Sequence, residues 1–247
     1  EGRLMDFDIQ IFESALRQGL NELNLDLPEE VFPTCTQFAQ AIVETNKSLN
    51  LTRIIESEEM AIKNFVDSLV LLRMEWPKNL RCLDLGTGAG FPGVPLAIAR
   101  PCWSITLLDS LRKRLRFLDD ATRDAGLSNV ATLHARAEDA GQSKEHRQVY
   151  DVVVSRAVAH LPVLLELATP LVKVGGRFVA YKGSEAETEL AESKRATKLL
   201  RVDIEQVFEI ELPKQMGRRS ILVFRKTAAT PPTYPRKAGI PNKQPLV

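Results

Sequence analysis

Apolar positions in the first eighty residues recur at helical spacing. Ile9, Phe12, Leu16, Leu20 and Leu23 form one stripe through DIQIFESALRQGLNEL, and Phe38, Ile42 and Val43 share one side of PEEVFPTCTQFAQAIVETN. Steps of three and four residues place side chains on one face of a helix. A third stretch, SEEMAIKNFVDSLVLLRM, carries Ala61, Phe65, Leu69 and Leu72 on its apolar face. Ser57 is the expected N-cap there, with Glu58 and Glu59 in the first turn, where carboxylates favour the helix dipole. Lys63, Asn64 and Asp67 fall elsewhere on this helix, and NKSLNLTRI before it reads as a polar turn that no core requires.

From Arg81 the pattern changes to short apolar runs: RCLDL, SITLLD, ATLHA, YDVVVS and RFVAYKG. Helical segments beginning near Pro92, Leu111, Ala137 and Leu161 separate them. This alternation argues for an α/β fold with a doubly wound parallel sheet covered on both faces. VGG at 174–176 reads as a helix stop leading into the fifth strand. Two later runs, LLRVDIEQVFEIELP and RRSILVFRK, read as an antiparallel pair. The proline-rich end, TPPTYPRKAGIPNKQPLV, reads as an extended arm. The expected organisation is a helical extension over 1–79, a sheet domain over 80–227 and a basic arm over 228–247.

The first strand runs into LDLGTGAGFPG at 83–93, which has two registers. Gly88, Gly90 and Gly93 match the dinucleotide fingerprint G-x-G-x-x-G. Gly86, Gly88 and Gly90, with Asp84 ahead of them, match the first motif of S-adenosylmethionine (SAM) methyltransferases. A glycine turn between strand and helix suits any adenosine cofactor, because the backbone approaches the ligand closely. The strand enters directly at Gly86, and Phe91 and Pro92 give a bulky loop where a pyrophosphate needs bare N–H groups. Asp109 closes the second strand, where a carboxylate accepts from ribose hydroxyls. Capping of the next helix is the structural alternative for it. Glu138, with Ala137 before it, is placed to meet adenine. The antiparallel pair belongs to the methyltransferase sheet rather than to dehydrogenases. The features favour SAM over a nicotinamide.

Composition adds limits. The chain has 247 residues, 44% hydrophobic and 26% charged, the balance of an ordinary soluble protein. Its apolar runs fall short of the roughly 20 residues that span a bilayer, and no secretory pattern opens it. Cys35, Cys82 and Cys102 have no metal-ligand spacing, so buried thiols in a cytoplasmic protein are expected, with no metal. A monomer is expected. Net charge is only +1, yet no acidic residue follows Glu211, while Lys214, Arg218, Arg219, Arg225, Lys226, Arg236, Lys237 and Lys243 do. Arg112, Lys113, Arg114 and Arg116 form a second basic group. Such asymmetry points to a polyanionic partner, against the plainer reading of a solvated face.

Six stretches then come in order: NLT (50–52), DSL (67–69), LDLGTGAGFPGVPLAIARP (83–101), LLDSLRKRLRFL (107–118), SRAVA (155–159) and GGRFVAYKG (175–183). Together they resemble the RsmG (GidB) family of bacterial 16S ribosomal RNA guanine-N7 methyltransferases, over about 46–225. The resemblance implies a class I SAM-dependent fold and cofactor contacts at Gly86, Phe91, Asp109, Ser110, Leu111, Ala137, Glu138 and Arg156. Gly88 joins them from the loop. The implied partner is 16S ribosomal RNA or the small ribosomal subunit. Many members have Trp where this chain has Thr45 and His where it has Asn64.

Methylation at guanine N7 needs no general base, because N7 carries an in-plane lone pair and no proton. That fits the lack of obvious partners for His134, His146 and His160. Arg156 and Lys182 both follow strands at the cofactor end and are the candidate catalytic residues. Lys182 is also expected to anchor phosphate or guanine O6. Arg112, Lys113, Arg218 and Arg219 are the remaining candidate RNA contacts. The rival functions are a small-molecule methyltransferase, a nicotinamide oxidoreductase and a non-catalytic RNA-binding module.

Overall fold

The computed structural model describes residues 7–247. Residues 1–6, which open the expected helical extension, lie outside the described residues. Helix α1 (Ile9–Glu22) starts at Asp8, whose carboxylate accepts from the Ile11 N–H at 3.0 Å. Helix α2 (Val31–Asn46) follows. Helix α3 (Ser57–Met60) is capped by Glu56 rather than Ser57: its two carboxylate oxygens accept from the N–H groups of Glu58 at 3.0 Å and Glu59 at 2.7 Å. A carboxylate satisfies two orphan donors where a hydroxyl satisfies one. Ser57 Oγ instead accepts from the Asp8 N–H at 2.8 Å and ties α3 to the start of α1. The helix continues through a π turn (Ala61–Val66), α4 (Asp67–Leu69) and a 3-10 turn (Val70–Arg73).

The sheet strands are β1 (Leu80–Leu85), β2 (Trp103–Asp109), β3 (Val130–His134), β4 (Tyr150–Arg156), β5 (Val172–Lys182), β6 (Val202–Glu211) and β7 (Arg218–Lys226). They form one seven-stranded sheet in the order β3-β2-β1-β4-β5-β7-β6, and β7 runs antiparallel to both neighbours. The order reverses between β1 and β4, which opens a crevice at their C-terminal ends. At the other end of β5 the expected helix stop is part of the strand: Gly175, with φ +83°, lies inside Val172–Lys182, near an irregular register with β4. The helix before it ends at Ala168.

Alternation along the strands builds two cores. Val152, Val154, Val179, Tyr181, Ile221 and Val223 pack with α1, α2, α5 (Gly93–Ala99) and α6 (Arg112–Asp124) on one face. Val153, Phe178, Ala180, Leu222 and Phe224 face α7 (Ala137–Gln142), α8 (Leu161–Ala168) and α10 (Lys194–Leu200) on the other, while α9 (Ala186–Glu192) precedes α10. No break in packing accompanies the change of texture near residue 80. Phe12 meets Phe65 at 5.1 Å and Phe65 meets Phe91 at 5.2 Å, so the N-terminal helices share their core with the glycine loop.

The proline-rich end does not extend into solvent. Arg147 donates to the carbonyls of Gly141, Thr230, Pro231 and Tyr234, and Gln142 donates to those of Pro232 and Pro235. Arg236 pairs with the fully buried Glu166 at 2.8 Å, and Leu246 closes over the second core after α11 (Ile240–Lys243). Proline-rich backbone presents carbonyls that it cannot pair internally, and donors from α7 and the loop after it satisfy them. Among the described residues no helix is long and apolar enough to cross a membrane.

Candidate active site

A cavity of about 510 Å³ sits over the crevice between β1 and β4. Its floor is the loop after β1. Asp84, the last polar residue of that strand, is fully buried, and its Oδ2 accepts from Thr87 Oγ1 at 2.7 Å and the Gly93 N–H at 2.8 Å. Burial pushes its carboxyl up to about 7. Asp84 therefore braces both ends of the loop. Gly93 has to be glycine, because a Cβ there would lie 2.7 Å from the Asp84 carboxylate. Gly88 differs: it has φ +58°, and a Cβ would meet nothing within 4 Å, so bare backbone borders open space.

Asp109, at the end of β2, is 4% exposed and lines the cavity. Its oxygens accept from the N–H groups of Gly88 at 3.0 Å and Leu111 at 2.9 Å, and Arg114 lies 3.6 Å away. The capping and cavity-lining alternatives are thus both realised. Gly86, Gly88, Phe91 and Ser110 line the cavity, as do Ala137, Glu138 and Arg156. Glu138 Oε2 also accepts from the Gly239 N–H at 3.3 Å, which brings the C-terminal arm to the rim. Leu111 does not line it. As the N-cap of α6 it contributes its backbone N–H to Asp109, and its side chain is half exposed.

Arg156 leaves β4 and turns toward the N-terminal helices. It donates to the Lys63 carbonyl at 2.8 Å, Asp67 Oδ2 at 3.1 Å and Asn64 Oδ1 at 3.1 Å, and its guanidinium lies 5.4 Å from the Phe91 ring. Asp67 is 1% exposed, and Arg219 Nε approaches its other oxygen at 3.2 Å, off the line of a hydrogen bond. One buried carboxylate thus holds two arginines. The NLT turn, read from sequence as a polar turn that no core requires, completes the wall with Leu51 and Thr52. Asn46 Oδ1 pins it by accepting from both N–H groups, at 2.7 and 3.0 Å. The sequence marked Leu51 and Thr52 only as part of the NLT motif and Asn64 only as a departure from the family's His. Their place in the cavity wall was not legible, because they lie far upstream on a turn and a helix whose pattern reads as polar surface and core.

Lys182 is a correction. It is 8% exposed and donates to the Ala159 carbonyl at 2.6 Å and Glu189 Oε1 at 3.0 Å. Two of its three ammonium donors are taken, its charge is paired by Glu189 of α9, and it does not line the cavity. Arg219, bound to Asp67, is likewise drawn inward. Arg218 is exposed and pairs with Glu211, while Arg112 and Lys113 are exposed on α6. The acid-free C-terminus is not a free polycation. Lys214 pairs with Glu58, Arg225 with Glu205 and Arg236 with Glu166, all supplied from upstream. The histidines also have partners: His160 meets Glu189 and Glu192, His134 meets Arg112, and His146 meets the Tyr150 hydroxyl.

The family model for rRNA small subunit methyltransferase G matches residues 32–219. The chain belongs to this family. Among relatives, ribosomal RNA small subunit methyltransferase G of Desulfitobacterium hafniense is 48% identical, across 91% of this chain and 93% of its own. That of Desulforamulus reducens is 44% identical, across 94% and 97%. Among solved structures, TYW2 of M. jannaschii in complex with AdoMet superposes with a TM-score of 0.54 at 16% identity, over 72% of this chain and 81% of that one. At that identity the match speaks for the fold alone, which is the class I methyltransferase fold expected for a methyltransferase G member.

Proposed function

We propose that the protein transfers the methyl group of SAM to N7 of a guanine in small-subunit ribosomal RNA. The observation that carries this is the cavity at the β1/β4 reversal. It combines bare glycine backbone at Gly88, a buried carboxylate at Asp109 and a second carboxylate at Glu138. These residues fit an adenosine group: Asp109 would hold it by accepting from ribose hydroxyls and Glu138 by accepting from the adenine amino group. Bound there, SAM supplies an electrophilic methyl group on a sulfonium.

The chain's own part is positioning. Guanine N7 would accept the methyl group through its in-plane lone pair, so no residue of the chain has a proton to remove; the chain has to orient the base and tolerate a product that is cationic. Geometry and electrostatics are then the main levers. No histidine is among the residues that line the cavity, and this chemistry needs no general base. Arg156 acts as a positioning residue: it fixes the π turn against β4 and stacks near Phe91, and Asp67 neutralises it. Arg112, Lys113 and Arg218 supply exposed cations for RNA phosphates, so binding weakens steeply with salt.

The test is incubation with methyl-labelled SAM and small-subunit RNA, followed by nucleoside analysis. Label in 7-methylguanosine supports the reading. Label in any other nucleoside, or none, overturns it. A rise in melting temperature with NADH but not with SAM would favour the nicotinamide rival.

A further inference from the structure

We infer that Asn64 is a specificity-determining residue, whose amide N–H donates to O6 of the target purine and so selects guanine over adenine. This rests on the guanine-N7 reading above and deepens it. Asn64 is 2% exposed, lines the cavity, and its Nδ2 has no hydrogen-bond partner. A buried donor left unmatched costs about 1–3 kcal/mol, and such groups in native proteins have a reason. The orientation of the amide is fixed on chemical grounds. The Arg156 guanidinium only donates, so the group it meets at 3.1 Å is Oδ1. That leaves Nδ2 as the free end, and the amide cannot flip to offer an acceptor without losing Arg156.

A second, independent observation is the π turn Ala61–Val66 that carries Asn64. Wide turns of this kind interrupt regular pairing and recur at functional sites. Here the turn frees the Lys63 carbonyl for Arg156 at 2.8 Å, so backbone and side chain of consecutive residues are held by one guanidinium. A donor held this rigidly is suited to reading a base edge. Beside N7 on that edge, guanine carries the acceptor O6 and adenine the donor N6 amino group. Both bases offer an N7 lone pair, so the reacting atom alone cannot discriminate. An N–H aimed at the six-position accepts guanine and opposes adenine.

The test uses the full chain with SAM and small-subunit RNA carrying guanine, adenine or 2-aminopurine, which lacks O6, at the mapped position. In the wild type, 2-aminopurine lowers turnover roughly ten- to a hundredfold, the range for one buried donor left unmatched. Asn64→Asp keeps the shape, removes the donor and shows a similar loss on guanine. On 2-aminopurine it shows little further loss, and its preference for guanine over adenine narrows. Asn64→His, which retains an N–H, keeps guanine turnover within several-fold and covers the case in which the Asp variant misfolds. Wild-type turnover by Asn64→Asp, or an undiminished 2-aminopurine penalty in it, overturns the inference. If the wild type itself does not methylate guanine, the functional reading fails first and takes this one with it.

Discussion

Asp67→Asn is the perturbation that the site's construction makes most informative. Asp67 is 1% exposed and holds Arg156 at 3.1 Å and Arg219 at 3.2 Å, with side chains 20% and 25% exposed respectively. The amide is isosteric, so packing survives while the negative charge disappears. Removing one partner of a fully buried pair costs about 3–5 kcal/mol. Both arginines reach some water, which lowers the expected cost to about 2–3 kcal/mol. In a protein of this size that corresponds to a fall in melting temperature of roughly 5–10 °C. Thermal melting by circular dichroism, with and without added salt, measures it. The carboxylate is shielded, so salt should leave most of the difference in place. Two unneutralised guanidiniums beside a cavity that receives a sulfonium also predict weaker SAM binding, read by calorimetry. An unchanged melting temperature together with wild-type SAM affinity would refute the claim that this carboxylate anchors the site.

Three further outcomes follow from other contacts. Burial, with the Arg147 charge adding to it, holds the Lys226 ammonium down to about 7, below an ordinary 10.5. The unfolded chain therefore binds the extra proton between those values, so this group makes stability rise with pH from about 7 upward. The stability of Lys226→Met relative to wild type should accordingly decline across that window, and a pH-independent difference in melting temperature contradicts this. Ending the chain at Thr227 strips Arg236 from the fully buried Glu166 and should cost about 3–5 kcal/mol. Adding Glu166→Gln to the shortened chain should restore part of that loss in a denaturant titration; no restoration argues against an unpaired charge as the cause. Gly88→Val places a side chain at φ +58° toward the open cavity. It should raise the SAM Kd by roughly tenfold or more, worth at least ~1.4 kcal/mol, and an unaltered Kd would move the cofactor away from this loop.

Much of this molecule is legible in the chain because strand ends and glycine turns are local features. Gly86, Phe91, Asp109 and Glu138 line the cavity where a β-α alternation with this loop puts them. The unread part depends on contacts between distant segments. Asn64 sits 92 residues from Arg156, on a helix face with no periodic mark to separate it from surface. Lys182 looked free because its neutralisation by Glu189 arises only when α9 folds back. The basic C-terminus looked like an RNA-binding tail because its acidic partners, Glu58, Asp67, Glu166 and Glu205, all precede it in sequence. Charge distribution along a chain is not charge distribution in space. Family resemblance pointed to strand ends that line the cavity but not to the turn at Leu51 and Thr52 as a wall.

The central claim is methylation at guanine N7, and that product has its own chemical signature. A 7-methylguanine ring is cationic and labile, so reduction followed by aniline treatment cuts the RNA strand where it stands. Small-subunit RNA incubated with the protein and SAM should break at one guanine, and only when both are present. RNA that takes up labelled methyl groups yet stays uncut would contradict the account, because the methyl group would then lie on another atom.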